Sequence, residues 1–122
     1  MADPNFIILY VDNPLASAKF YQDLLGIPPV EQAPTFVMFA LPSGVMLGLW
    51  SRYTVQPAAL AAGGGAELAF AVNDNATVDR LYQDWGGRGL RVAQAPVDLD
   101  FGRTFVALDP DGHRLRVFAA AG

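Results

Sequence analysis

The chain has 122 residues, is 52% hydrophobic and 16% charged, and carries a formal net charge of −4, which suits one compact globular domain and excludes a disordered segment. Its eight basic residues are scattered, so it lacks the basic face that nucleic-acid binding needs. The absence of cysteine excludes disulfides, thiolate metal sites and cysteine nucleophiles and fits a cytoplasmic protein; no stretch reads as a signal peptide or as an apolar run of membrane-spanning length.

In chain order, "FIILYV" (6–11) reads as an apolar strand. Asn13 is placed to cap a helix with Pro14 in its first turn, where a missing N–H is harmless. Ala16, Phe20 and Leu24 recur every four residues and are expected to form its stripe, and Gly26 suits the C-cap. Short strands follow near 28–33, 35–41 and 45–50, the last two joined by "LPSG". Residues 53–65, "YTVQPAALAAGGG", read as a flexible linker.

The order then repeats. "ELAFAV" (67–72) is a strand, and Asp74 or Asn75 starts a helix with a Thr77, Leu81 and Trp85 stripe and Gly87 at its end. Strands near 90–96, 103–108 and 114–119 complete the half, the last two joined by "DPDG". Val11 matches Val72, Lys19 matches Arg80, Tyr21-Gln22-Asp23 matches Tyr82-Gln83-Asp84, and Gly26 matches Gly87. All share one offset of 61 residues, half the chain's 122. A repeat of this kind sets the architecture. The expected fold is α+β, two βαβββ modules (about 4–52 and 66–120) around the linker, forming a single domain. An open βαβββ sheet leaves edges and a concave face to be covered, so a symmetric homodimer is expected, with modules pairing within a chain or swapped between chains.

Two such modules, with "VDN…FYQDLLG" after the first strand and "DPDGHRLRVF" closing the second, resemble the vicinal oxygen chelate superfamily. This is the glyoxalase, bleomycin-resistance and dioxygenase group, whose curved mixed sheets enclose a cavity. The resemblance implies that a catalytic metal, where present, is held from the first and last strand of each module. Strand alternation maps those positions onto Phe6, Gly48, Glu67 and Arg116. Only Glu67 offers a donor atom, and an arginine repels a cation, so no metal and no cofactor are expected. Asp109, Asp111 and His113 in "LDPDGHRLRVF" (108–118) have ligand chemistry, but Asp-Pro-Asp-Gly is turn chemistry and they read as hairpin residues. His113 retains a reading as a donor at a cavity rim.

The cavity face carries Phe6, Tyr10, Trp50 and Phe118 with Glu67, Arg114 and Arg116. That mixture suits a planar aromatic ligand bearing a carboxylate or amide. The competing reading is core packing, evenly balanced for Trp50 and favoured for Phe118 and Trp85; a plain salt bridge is favoured for Glu67 and Arg116. "LWS" (49–51) and "DFGRTFVALDPDGHRLRV" (100–117) resemble phenazine antibiotic-resistance binding proteins, metal-free homodimers that hold ligands in cavities shared by two chains. The resemblance implies that Trp50 stacks on the ligand and that Phe101 and Arg103 border it; a solvated Arg103 beside a glycine turn is the plainer alternative. The expected function is sequestration of a phenazine-type antibiotic, conferring resistance. A metal-dependent enzyme of the same fold is the competing class, and a metal-free enzyme using Glu67 or Tyr10 is a third.

Overall fold

The computed structural model describes residues 2–121. The chain divides into two compact units, residues 1–62 and 63–122, each built as strand, helix and three further strands.

In the first unit β1 (Phe6–Val11) leads into α1 (Pro14–Leu25), followed by β2 (Glu31–Ala33), β3 (Phe36–Ala40) and β4 (Met46–Ser51). The strands form one mixed sheet in the order β1-β4-β3-β2, with β1 and β4 parallel and the other pairs antiparallel. Asn13 caps α1 by accepting from the Ala16 amide at 3.2 Å, and Gly26 ends it at φ +72°, which glycine adopts without strain. The buried helix stripe is Pro14, Ser17, Ala18 and Tyr21, not the expected Ala16, Phe20 and Leu24. Ala16 is exposed, and Phe20 and Leu24 are half-buried. Two small residues beside Tyr21 let the helix lie close to the sheet, so the large ring alone fills the gap.

The second unit repeats the plan with β5 (Glu67–Ala71), α2 (Asn75–Gly87), β6 (Arg91–Leu99), β7 (Gly102–Leu108) and β8 (Arg114–Ala120). The sheet order is β5-β8-β7-β6, again with the first pair parallel. Asp74 caps α2, accepting from the amide and the hydroxyl of Thr77 at 2.7 and 2.6 Å. Gly87 is the last helical residue rather than the cap. Arg88 follows in right-handed geometry, and the left-handed residue is Gly89, at φ +86°. Val78 and Trp85 are the buried helix residues, with Thr77 and Leu81 only half-buried. Trp85 meets both Phe70 and Phe105 edge to face, which settles its role as core. β2 is shorter than the expected 28–33 because prolines 28 and 29 withhold ladder donors. β6 is longer than expected and carries register shifts between Val92 and Val97, which accommodate Pro96.

In each sheet alternate residues face the helix. Val37, Phe39, Leu47 and Leu49 form that layer in the first unit, and Phe105, Ala107, Leu115 and Val117 in the second, all at most 1% exposed. The residues between them point to the other, open face. No helix among the described residues is long and apolar enough to cross a membrane.

Candidate functional site

The open face of the first sheet is apolar across β1, β4 and β3, with Glu31 of the edge strand β2 beside Met38. β1 contributes Phe6, Ile8 and Tyr10, β4 contributes Met46, Gly48 and Trp50, and β3 contributes Phe36, Met38 and Ala40, paired in register. None of these side chains is charged. Phe6, Ile8 and Tyr10 remain 40%, 43% and 41% exposed, unusual for three large side chains on one strand. Ile8, Phe36 and Trp50 line an open cleft of about 370 Å³, within the roughly 300–1,000 Å³ range of small-molecule sites. Phe36 and Trp50 meet edge to face at 6.1 Å, leaving the indole half-buried.

Gly48 lies on this face. A Cβ there would stand 2.9 Å from the Phe6 ring and 3.0 Å from the Phe36 ring. The two phenyl groups therefore occupy the space that a side chain at position 48 would need.

The open face of the second sheet is charged. Arg116 Nε donates to Glu67 Oε1 at 2.7 Å and Nη2 to Oε2 at 2.9 Å, a bidentate pair. Its remaining nitrogen, Nη1, donates to the Thr104 hydroxyl at 3.1 Å, and that hydroxyl donates to the Val117 carbonyl at 2.8 Å. Arg114 Nη1 approaches Glu67 Oε2 at 3.8 Å. The Arg116 hydrogen bonds, joined by the attraction of both guanidinium groups, hold the Glu67 carboxyl below its ordinary value despite partial burial. The same pairing raises the Arg116 guanidinium. A glutamate held ionised with both oxygens engaged is poorly placed to act as a general base.

Phe101, 45% exposed, lies over this face. Its ring meets Phe118 edge to face at 5.9 Å and the Arg116 guanidinium carbon at 5.9 Å from its centroid. Arg103 is elsewhere. It pairs with Ala119 in register, on the helix side of the sheet, and bonds Asp79 of α2 at 2.7 Å and Asp98 at 3.1 Å. The structure thus brings Phe101, Phe118, Arg116 and Glu67 together and separates Arg103 from them.

At the positions where the resemblance implies metal ligands, the first unit offers a phenyl ring and a glycine, and the second a guanidinium and one carboxylate already engaged by it. Neither pair fits a divalent cation. Among the described residues no three His, Asp or Glu side chains cluster as metal ligands. Asp109 is 1% exposed, and its Oδ1 accepts from the amides of Asp111 and His113 at 2.9 and 2.8 Å. Gly112 follows at φ +84°. These are the bonds of a hairpin turn.

Sequence reasoning overlooked Phe36 and Met38. The strand 35–41 was recognised, but its faces were not assigned, because it has no repeat-matched metal position to anchor the alternation. Pairing Phe36 with Trp50 across the hairpin supplies what was missing.

Residues 4–117 match the sequence model of the Glyoxalase/Bleomycin resistance protein/Dioxygenase superfamily. The chain is 30% identical over 117 residues to the phenazine antibiotic resistance protein EhpR of Enterobacter agglomerans, covering 93% of this chain and 89% of that protein. Among solved structures it resembles protein ATC0852 from Agrobacterium tumefaciens, determined by NMR in solution, with 55% identity, a TM-score of 0.92 and full coverage of both chains. A glyoxalase-related enzyme from Fulvimarina pelagi, 23% identical, superposes with a TM-score of 0.84 over 98% of this chain and 88% of that one. At that identity the likeness shows the fold alone.

Proposed function

The chain belongs to the Glyoxalase/Bleomycin resistance protein/Dioxygenase superfamily, and within it we propose a metal-free binding protein that sequesters a planar aromatic molecule of the phenazine type and thereby confers resistance. The observation carrying this reading is the cleft of Ile8, Phe36 and Trp50, whose lining side chains are all uncharged. A flat aromatic ligand gains contact area on the half-exposed indole, and its apolar surface leaves water at about 25 cal/mol per Å². The similarity to a protein named for phenazine antibiotic resistance supports the ligand class. The donor set described above supports binding without metal.

On the first unit the proposed contacts are Phe6, Tyr10 and Trp50; on the second unit, taken by itself, they are Phe101, Glu67 and Arg116. Arg103 leaves the proposal, because both carboxylates it bonds lie away from the open face. The proposed partner is a second copy of the chain. β1 ends its sheet with an unpaired outer edge bearing Phe6, Ile7, Ile8 and Tyr10, each 40–43% exposed, and such an edge is ordinarily covered. The proposed compartment is the cytoplasm, in keeping with a chain that has no cysteine.

The test is calorimetric titration of chelator-treated protein with a phenazine carboxylate. Saturation near one ligand per chain, weakened by more than about tenfold in Trp50→Ala, is the expected result; tenfold corresponds to about 1.4 kcal/mol. A folded protein that takes up no phenazine overturns the reading. Recovery of stoichiometric metal together with turnover would replace it with an enzyme of the same fold.

A further inference from the structure

The open face of the second sheet has two chemically different ends. Across its four strands, Arg91, Leu108, Arg114 and Glu67 share one row at the end near the Asp109–Gly112 turn. Val97, Thr104, Phe118 and Ala71 share a row at the other end, where Phe101 packs on Phe118. Arg114 and Phe118 are four residues apart on β8, about 13 Å along an extended strand, comparable to the length of a fused three-ring acid. In the row between them stand Arg116 on β8 and, beside it on β5, the exposed Ala69. The counterpart of Ala69 on β1 is Ile8, a larger side chain.

The cations on this face are not equivalent. All three nitrogens of Arg116 already donate, two to Glu67 and one to Thr104. Arg91 Nη2 donates to the Asp109 carbonyl at 3.0 Å. Arg114 is half exposed, and its ion pair with Glu67 is a single 3.8 Å approach, beyond hydrogen-bond length. Glu67 neutralises one arginine by bidentate pairing and approaches the other only at 3.8 Å. Arg91, Arg114 and Arg116 face one carboxylate, Glu67, on this sheet face, and that local surplus of positive charge favours an anion over a neutral group against the chain's overall −4.

We propose that Arg114 is the specificity-determining residue of this face, holding an anionic substituent, a carboxylate, on a planar aromatic ligand whose ring lies toward Phe101 and Phe118. The inference rests on the proposed function and narrows its ligand class from planar aromatics to planar aromatic acids. Glu67 acts as a positioning residue: by occupying Arg116 it assigns the anion to Arg114. A guanidinium offers two parallel N–H groups that match a carboxylate, whereas a neutral amide accepts on one oxygen only.

The experiment titrates a phenazine carboxylate and the matching carboxamide, which has the same rings without the charge, into the full chain and two variants. The full chain is expected to prefer the acid by about tenfold, the scale of one charge-assisted contact. Arg114→Gln is expected to abolish that preference by weakening the acid far more than the carboxamide, with thermal unfolding showing that the variant is folded. Arg114→Lys, keeping charge but losing the paired donors, is expected to retain part of it. Equal affinity of the full chain for both compounds, or a preference surviving in Arg114→Gln, overturns the assignment of Arg114 while the sequestration reading stands. Binding of neither compound overturns that reading, and this inference with it.

Discussion

The two modules fold alike and present opposite chemistry. Their helix-side layers are both dry and aliphatic or aromatic. Their open faces differ at nearly every matched position, with Phe6 against Glu67, Ile8 against Ala69, Tyr10 against Ala71, and Gly48 against Arg116. The buried layer has to exclude water from a helix and tolerates only apolar side chains. The open face has no such constraint within the module, and there the chain places an aromatic cleft on one copy and an arginine–glutamate cluster on the other. A duplicated scaffold thus supplies two surfaces that diverge independently of the fold, the property by which one architecture hosts many functions.

The largest expected effects test the likeness of the interiors. Phe39 faces Leu47 in the first module and Phe105 faces Val117 in the second, both phenylalanines 0% exposed. The matched partners are Ala107 for Phe39 and Val37 for Phe105, so the layers share their apolar character while placing the large ring one row apart. Phe39→Ala and Phe105→Ala should each cost about 3–5 kcal/mol, read from urea unfolding. If the costs differ by more than the spread of that class, the two cores are not equivalent.

Trp50→Ala should sharpen the contrast between the layers. The indole is half-buried and packs on Phe36 at the open face, so its loss should cost less stability than either phenylalanine, about 1–2 kcal/mol. Its effect on phenazine affinity should be more than about tenfold. Thermal unfolding alongside the titration separates the two. A stability loss as large as that of Phe105→Ala would make Trp50 a core residue and remove the cleft from the argument.

This same division explains what could be read without coordinates. The repeat, both helices, the βαβββ succession of each module and the turns at Gly44 and Gly112 were legible, because they follow from periodicity and turn chemistry; the Glu67–Arg116 partnership was legible through the positions that the family resemblance implies. The helix stripes were misread: in α1 Ser17 and Ala18 are buried for their small size rather than their hydrophobicity, a signal that apolar spacing does not carry. The end of α2 was misread because two glycines precede the one that turns. Among the site residues, Phe36 needed the register across its hairpin. Arg103 could be placed only once Thr104, one residue on, was seen to face Arg116.

A smaller expected effect concerns how the two helices begin. Asn13 accepts one amide bond at 3.2 Å, whereas Asp74 accepts from both the amide and the hydroxyl of Thr77, which holds its carboxyl below the ordinary value. Asn13→Ala should lower stability by about 1 kcal/mol and Asn13→Gly by only a few tenths, measured as shifts of the urea midpoint. A loss in Asn13→Ala independent of pH is expected, since nothing at that cap titrates.

The smallest effect, and the one that isolates the charged face, is the pH dependence of Glu67→Gln. Glu67 is held below its ordinary value of 4.5, first by the Arg116 hydrogen bonds. A carboxyl with a lowered folded pKa contributes its full stabilisation above the unfolded value and loses it as pH falls through the folded one. Glutamine keeps one acceptor for Arg116 but neither the charge nor the second acceptor. The parent should therefore exceed the variant by a constant margin, below about 1 kcal/mol for a pair this open to solvent, from neutral pH down to about 5. That margin should shrink below pH 4.5 and vanish once Glu67 is protonated. On the first module the matched position is Phe6, so no carboxylate–guanidinium pair stands there. A margin that does not change with pH would mean that Glu67 stabilises through packing alone, and the difference between the two faces would then lie in shape rather than charge.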